Sequence, residues 1–173
     1  MSVTAVSEIT ALLQKLDSAL SNNDIDAAME LFHEDSYWRD FVSFTWNLIT
    51  LEGRDEIRDM LEARLADVRP VNWEIDEEHL AQQDGPVSQG FIRFETQQAH
   101  GYGYIRVRDG RIFTILTTMQ DLKGHEEQGR IERPFGLVEG IDAIAAPTWG
   151  ERREQELAEI GVTKQPYVLI VGG

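Results

Sequence analysis

At Pro70 the apolar residues of this chain stop recurring every three to four positions and begin recurring every two, which sharply limits the folds open to it. Upstream, Ile9, Leu12, Leu13, Leu16, Ala19 and Leu20 mark one face of a helix that Ser7 is placed to cap. "SNND" breaks that helix. Asp24 caps a second one with the stripe Ile25, Ala28, Met29 and Phe32, which "HEDS" ends, and "YWRDF" then reads as a short strand. After Gly53 a third helix carries Ile57, Met60, Leu61, Leu65 and Val68 on one side until Pro70 stops it.

Downstream of Pro70, Val71, Trp73 and Ile75 alternate with Asn72, Glu74 and Asp76, the pattern of a half-buried strand. Further strands are expected at residues 89–97, 101–107 and 112–119. The last two are joined by Asp109-Gly110, which supplies the positive φ of a tight hairpin. Three helices followed by an antiparallel meander predict an α+β domain with its helices on one side of a curved sheet. A strongly bent sheet wrapped round a long helix encloses a cone-shaped pocket.

With 31 acidic against 16 basic residues the formal net charge is -15, a field that repels nucleic-acid phosphates and anionic lipid surfaces. Cysteine is absent, so disulfides, thiolate nucleophiles and cysteine metal sites are excluded together. No apolar run approaches the length of a membrane span, and "MSVTAVSEIT" lacks a basic segment before an apolar core, so a cytoplasmic location is expected.

After Leu122 the sequence is rich in Gly, Pro and charge and has no sustained period. The expected division is a domain over 1–122, a connecting arm over 123–147, a helix over 148–161 opened by a Thr148/Glu151 capping box and ended by Gly161, and a final segment over 162–173. In that segment Tyr167 to Val171 reads as a buried strand behind Pro166, followed by Gly172 and Gly173.

The stretches "LFHEDSYWRDFVSFTWNLITLEGRDEI", "FTILTTMQDLKGHEEQG" and "ERPFG" resemble the N-terminal extension of bacterial and fungal flavin-containing monooxygenase-like proteins. That extension has the nuclear transport factor 2-like, or SnoaL-like, cystatin-like cone. The resemblance implies an accessory domain that packs on a flavin domain, forms a homodimer through its sheet or covers a substrate entrance. In the full-length parent FAD and NAD(P)H would be bound, with Gly172 and Gly173 opening the phosphate-binding turn; the chain by itself is expected to hold no cofactor. The alternative is a stand-alone SnoaL-like isomerase, dehydratase, cyclase or binder that takes a small apolar ligand in the cone.

The region around "YWRDF" is also similar to ketosteroid isomerases, where an Asp on the first strand acts as general base, and Asp40 falls on that position. The oxyanion partners of that family fall on Leu16 and Gly103, neither of which can donate from a side chain. Asp40 is the candidate catalytic residue, with a structural carboxylate as the other reading. Trp38, Trp46, Trp73, His100 and Tyr102 are candidate pocket residues, with Tyr104 beside them; core packing is the competing role for the aromatics. His33 is expected near a helix C-terminus, interacting with the helix dipole. His33, His79, His100 and His125 show no metal-ligand spacing, so no metal site is expected.

Overall fold

The computed structural model describes residues 3–79, 81–126 and 147–163. The chain divides into two compact units, Met1–Glu127 and Gln128–Gly173.

In the first unit, α1 (Val3–Ser21) and α2 (Ile25–Glu30) lead into β1 (Phe32–Phe41) and β2 (Leu48–Glu52), then α3 (Gly53–Val68) and strands β3 (Val71–Ile75), β4 (Gln82–Asp84), β5 (Val87–Glu95), β6 (Ala99–Arg108) and β7 (Arg111–Leu122). This is the expected α+β order. The sheet runs β2-β1-β7-β6-β5-β3, with β4 beside β5. Its pairings are antiparallel except β1 with β7, which is parallel.

Several boundaries differ from the sequence expectation for identifiable reasons. Helix α1 already begins at Val3, so Ser7 sits exposed inside it and caps nothing. Asp24 does cap α2, accepting the Ala27 N–H at 2.9 Å, but that helix ends at Glu30. Phe32 and "HEDS" therefore belong to a ten-residue strand, with Phe32 paired to Ile112. The charges that look like a helix end are the exposed side of that strand. Strand β2 shows no alternation in the sequence, because only Leu51 of "LITLE" is buried.

Alternation assigns each strand residue to a face. The helices cover the inner face, where Trp38, Trp73, Ile92, Phe94, Ile105, Val107, Ile112 and Ile115 are buried. Phe94 stacks on Trp73 at 4.5 Å and 12°, and Phe44 meets Trp38 edge-on at 5.0 Å. Two inward positions of β6 are glycine because nothing larger fits. A Cβ on Gly101 would lie 2.3 Å from the Phe94 ring, and one on Gly103 would lie 2.1 Å from the Leu116 carbonyl oxygen. The outer face carries Tyr37, Arg39, Phe91, Arg93, Tyr102, Tyr104 and Leu116, with Phe91 opposite Tyr104 and Arg93 opposite Tyr102 in register.

In the second unit α4 (Trp149–Glu159) starts at Thr148, whose hydroxyl accepts the Glu151 N–H while the Glu151 carboxylate accepts the Thr148 N–H at 2.7 Å. Gly161 follows with φ 78°. The strand expected at Tyr167 to Val171, with Gly172 and Gly173, lies outside the described residues, as does most of the arm. Among the described residues no helix is long and apolar enough to cross a membrane.

Candidate functional site

Asp40 lies on the inner face of β1, two residues from Trp38, and both are fully buried. Its carboxylate accepts the Phe44 N–H at 3.0 Å, the Thr45 N–H at 2.8 Å, the Thr45 hydroxyl at 2.7 Å and the Thr117 hydroxyl at 2.8 Å. A carboxylate offers about four lone-pair sites, so these donors occupy it. Trp38 Nε1 in turn donates to Thr117 Oγ1 at 2.9 Å. This set fastens the turn between β1 and β2 to the central strand β7. The lone pairs of Asp40 are engaged within the fold, and Asp40 lines none of the cavities described below.

The other candidate residues separate by face. Trp38 and Trp73 sit together in the aromatic packing of the inner face, their rings 6.5 Å apart edge to face, and Trp73 also borders a groove between α1 and β3. Trp46 is 53% exposed in the turn after β1. Tyr102, His100 and Tyr104 point the opposite way, because even-numbered residues of β6 face outward. Tyr104 packs on Phe91 at 4.8 Å. His33 lies in β1, just past the Leu31 cap of α2, where it pairs with Asp35 beside Arg108. Among the described residues no cluster of His, Asp or Glu is arranged to hold a metal ion.

What the structure brings together is an outer-face cluster that the sequence did not single out. At the end of β3, Asn72, Glu74 and Asp76 share the outward side, and Asp76 is folded under its neighbours until its side chain is only 1% exposed. Asp76 Oδ2 lies 2.7 Å from His79 Nδ1 and accepts the Tyr102 hydroxyl at 2.7 Å. Asp76 Oδ1 faces Arg93 Nη2 at 2.9 Å and accepts the Glu78 N–H at 3.2 Å. The cluster forms the floor of a concavity of about 610 Å³ whose walls include His79, Arg93, Glu95, His100 and Tyr102. His100 stands at its rim, its Nε2 3.5 Å from Glu126.

Residues 13–115, more than half of the chain, match the model of the SnoaL-like domain family. The chain belongs to that family. Its fold resembles a nuclear transport factor 2-like protein of unknown function from Pseudomonas putida, with a TM-score of 0.54 at 14% identity over 68% of this chain and 88% of that one. It also resembles the Rv3472 protein of Mycobacterium tuberculosis, of unknown function, with a TM-score of 0.53 at 18% identity over 72% and 77% of the two chains. A third likeness is to the orange carotenoid protein of Anabaena with canthaxanthin bound, with a TM-score of 0.52 at 15% identity. That match covers 64% of this chain and only 36% of the carotenoid protein. At these identities the likenesses bear on fold alone. No curated protein matches the sequence.

Within this SnoaL-like domain the charge states of the cluster follow from its hydrogen bonds. Burial alone pushes the Asp76 carboxyl up, but the bonds from His79, Tyr102 and the Glu78 amide, with the Arg93 charge, outweigh it and hold the group down at about 2. Burial, followed by the bond to Asp76 and its charge, pushes the Tyr102 phenol up to about 12. At neutral pH Asp76 is therefore an anion that only accepts, so His79 Nδ1 must carry a proton toward it. In the neutral ring the lone pair is then on Nε2. The His79 side chain is 54% exposed, its ring packed on Phe91 at 5.0 Å. A buried carboxylate fixing the tautomer of an accessible imidazole is the arrangement of a proton acceptor.

The sequence carried part of this. Period two puts Asp76 on the outer side of β3, and Tyr102 is one of the candidate pocket residues. Missing was any sign that Asp76, at the end of an exposed polar series, is buried. That burial comes from Arg93 and Tyr102, which are adjacent only through the pairing of β5 with β6.

Proposed function

We propose that this SnoaL-like domain binds a small molecule in the outer concavity and transfers a proton there through His79. The observation that carries the reading is the 2.7 Å contact between the buried Asp76 carboxylate and Nδ1 of an accessible imidazole. His79 is the catalytic residue in this reading. Asp76 positions it, Arg93 and Tyr102 hold Asp76, and Asp40 is structural. This belongs with the stand-alone isomerase, dehydratase, cyclase or binder that the sequence offers as its alternative, moved from the cone interior to the opposite face of the sheet.

The test is a fragment titration of the full chain followed by NMR in deuterated solvent. Ligands are expected to shift the ring signals of His79 and Tyr102, and an acidic proton of a bound ligand is expected to exchange faster than in buffer. His79→Gln should abolish the acceleration while leaving the thermal midpoint in place. Ligands that shift only the Trp38 and Trp73 indole signals would move the site to the inner face and reject this reading.

A second reading places the domain ahead of a flavin-binding domain of a monooxygenase, with FAD and NAD(P)H held there. Its support is the resemblance of "LKGHEEQG" and "YVLIVGG" to such proteins. In this reading the cofactors are held by the flavin domain, so an FAD titration of this chain is expected to show no micromolar binding, and micromolar affinity would count against it.

A further inference from the structure

We infer that the outer concavity selects an organic cation, so that the proton His79 accepts leaves a positively charged donor. This rests on the proposed site and names its substrate class. Glu74, Asp76, Glu78, Glu95 and Asp121 line the concavity; Arg93 is the only lysine or arginine among its lining residues, and Lys123 outside the lining pairs with Glu95 at 2.7 Å, so the charge offered to a ligand comes chiefly from the other acids. Arg93 is already turned to Asp76 at 2.9 Å and Glu78 at 3.5 Å, so it offers an incoming anion little unshared charge.

The charge balance of the proton transfer points the same way. If a neutral acid gave its proton to Nε2, the electron pair left behind would make an anion facing several carboxylates, which like-charge repulsion opposes. If an ammonium or iminium donor gives the proton, its N–H or adjacent C–H bond breaks and the Nε2–H bond forms. The electron pair then stays on a substrate that becomes neutral. The positive charge moves onto the imidazole, where the Asp76 carboxylate is in contact with Nδ1. The number of charges in the site is unchanged, and nothing is oxidised or reduced.

An aromatic ring of the lining suits the same ligand. Tyr102 lines the concavity, with Phe91 stacked on it at 5.6 Å and 18° from outside the lining. An aromatic ring attracts a cation electrostatically while an apolar body packs beside it. The net charge of -15 favours approach of cations over anions at low salt.

Three probes of one shape separate charge from shape: benzylammonium, benzyl alcohol and benzoate, each titrated into the full chain while the His79 and Tyr102 ring signals are followed by NMR. The ammonium is expected to bind about tenfold more tightly than the alcohol, a preference that shrinks as salt is raised, and benzoate is expected to leave the signals unmoved. The double variant Glu74→Gln, Glu78→Gln should weaken the ammonium and leave the alcohol unchanged. Equal binding of the ammonium and the alcohol, or binding of benzoate, would overturn the charge selection and leave the site standing. Silence from all three probes at these two residues would overturn both.

Discussion

Asp40 and Asp76 lie on opposite faces of one sheet, each beneath four hydrogen-bond donors, and only Asp76 borders the open concavity. The donors differ in a way that decides what each carboxylate can do. Two of those on Asp40 are backbone amides of its own turn and two are hydroxyls, so the group is consumed in holding chain geometry. Asp76 has one backbone donor and three side chains, and one of those is an accessible, titratable ring.

The structural role of Asp40 predicts a stability effect at a distance from the turn. Thr117→Val keeps the side-chain shape but removes the hydroxyl that joins Trp38 Nε1 to Asp40. Trp38 is left with a buried N–H that has lost its acceptor, and such a group costs about 1–3 kcal/mol. Urea denaturation should show a loss of that size, with ligand binding at the outer face unaffected. A midpoint equal to that of the parent would mean that the relay through Thr117 contributes nothing.

The depressed Asp76 carboxyl predicts a dependence on acid. Its folded value of about 2 lies below the ordinary 3.8, so the native state favours the ionised form. The stability contributed by this group is complete above the unfolded value and is lost as pH falls from about 4 through about 2. Asp76→Asn removes the titration. The stability difference between parent and variant should shrink on acidification through that window. A difference that stays constant down to pH about 2 would show that the carboxyl is not held low.

The fold was legible because its two periods are carried by many residues at once. Leu12 to Leu20 and Ile57 to Val68 state helical faces repeatedly, and the alternation after Pro70 states a strand. Charge runs misled where a strand is half exposed, as at Glu34 and Asp35 in β1. Pocket residues were harder for a geometric reason. Aromatics mark burial but not the face of the sheet, so Trp38, Trp73 and Tyr102 looked like one lining although the sheet divides them. The Asp76 cluster was out of reach because its four donors come from three places in the chain. Asp76 and His79 are neighbours in sequence, but Arg93 and Tyr102 arrive only through strand pairing.

The glycines of β6 give the sharpest test of how that sheet is packed. Gly101 and Gly103 both point inward, and a side chain at either would collide, but with different partners. At Gly101 the nearest atoms belong to the Phe94 ring, a side chain that can rotate if it gives up its stack on Trp73. At Gly103 the nearest atom is the Leu116 carbonyl oxygen at 2.1 Å, which is fixed by the pairing of β6 with β7. Overpacking a well-filled core costs about 1–3 kcal/mol when side chains can adjust, and backbone cannot retreat without breaking the ladder. Gly101→Ala should therefore fall within that range and disturb the near-ultraviolet signal of Trp73. Gly103→Ala should cost more, more than about 3 kcal/mol, and widen the strand pair that carries Tyr102 on its other side. Equal losses at the two positions by chemical denaturation would mean that the sheet is plastic at Leu116, and that Tyr102 and the cluster beneath it are not held by this packing.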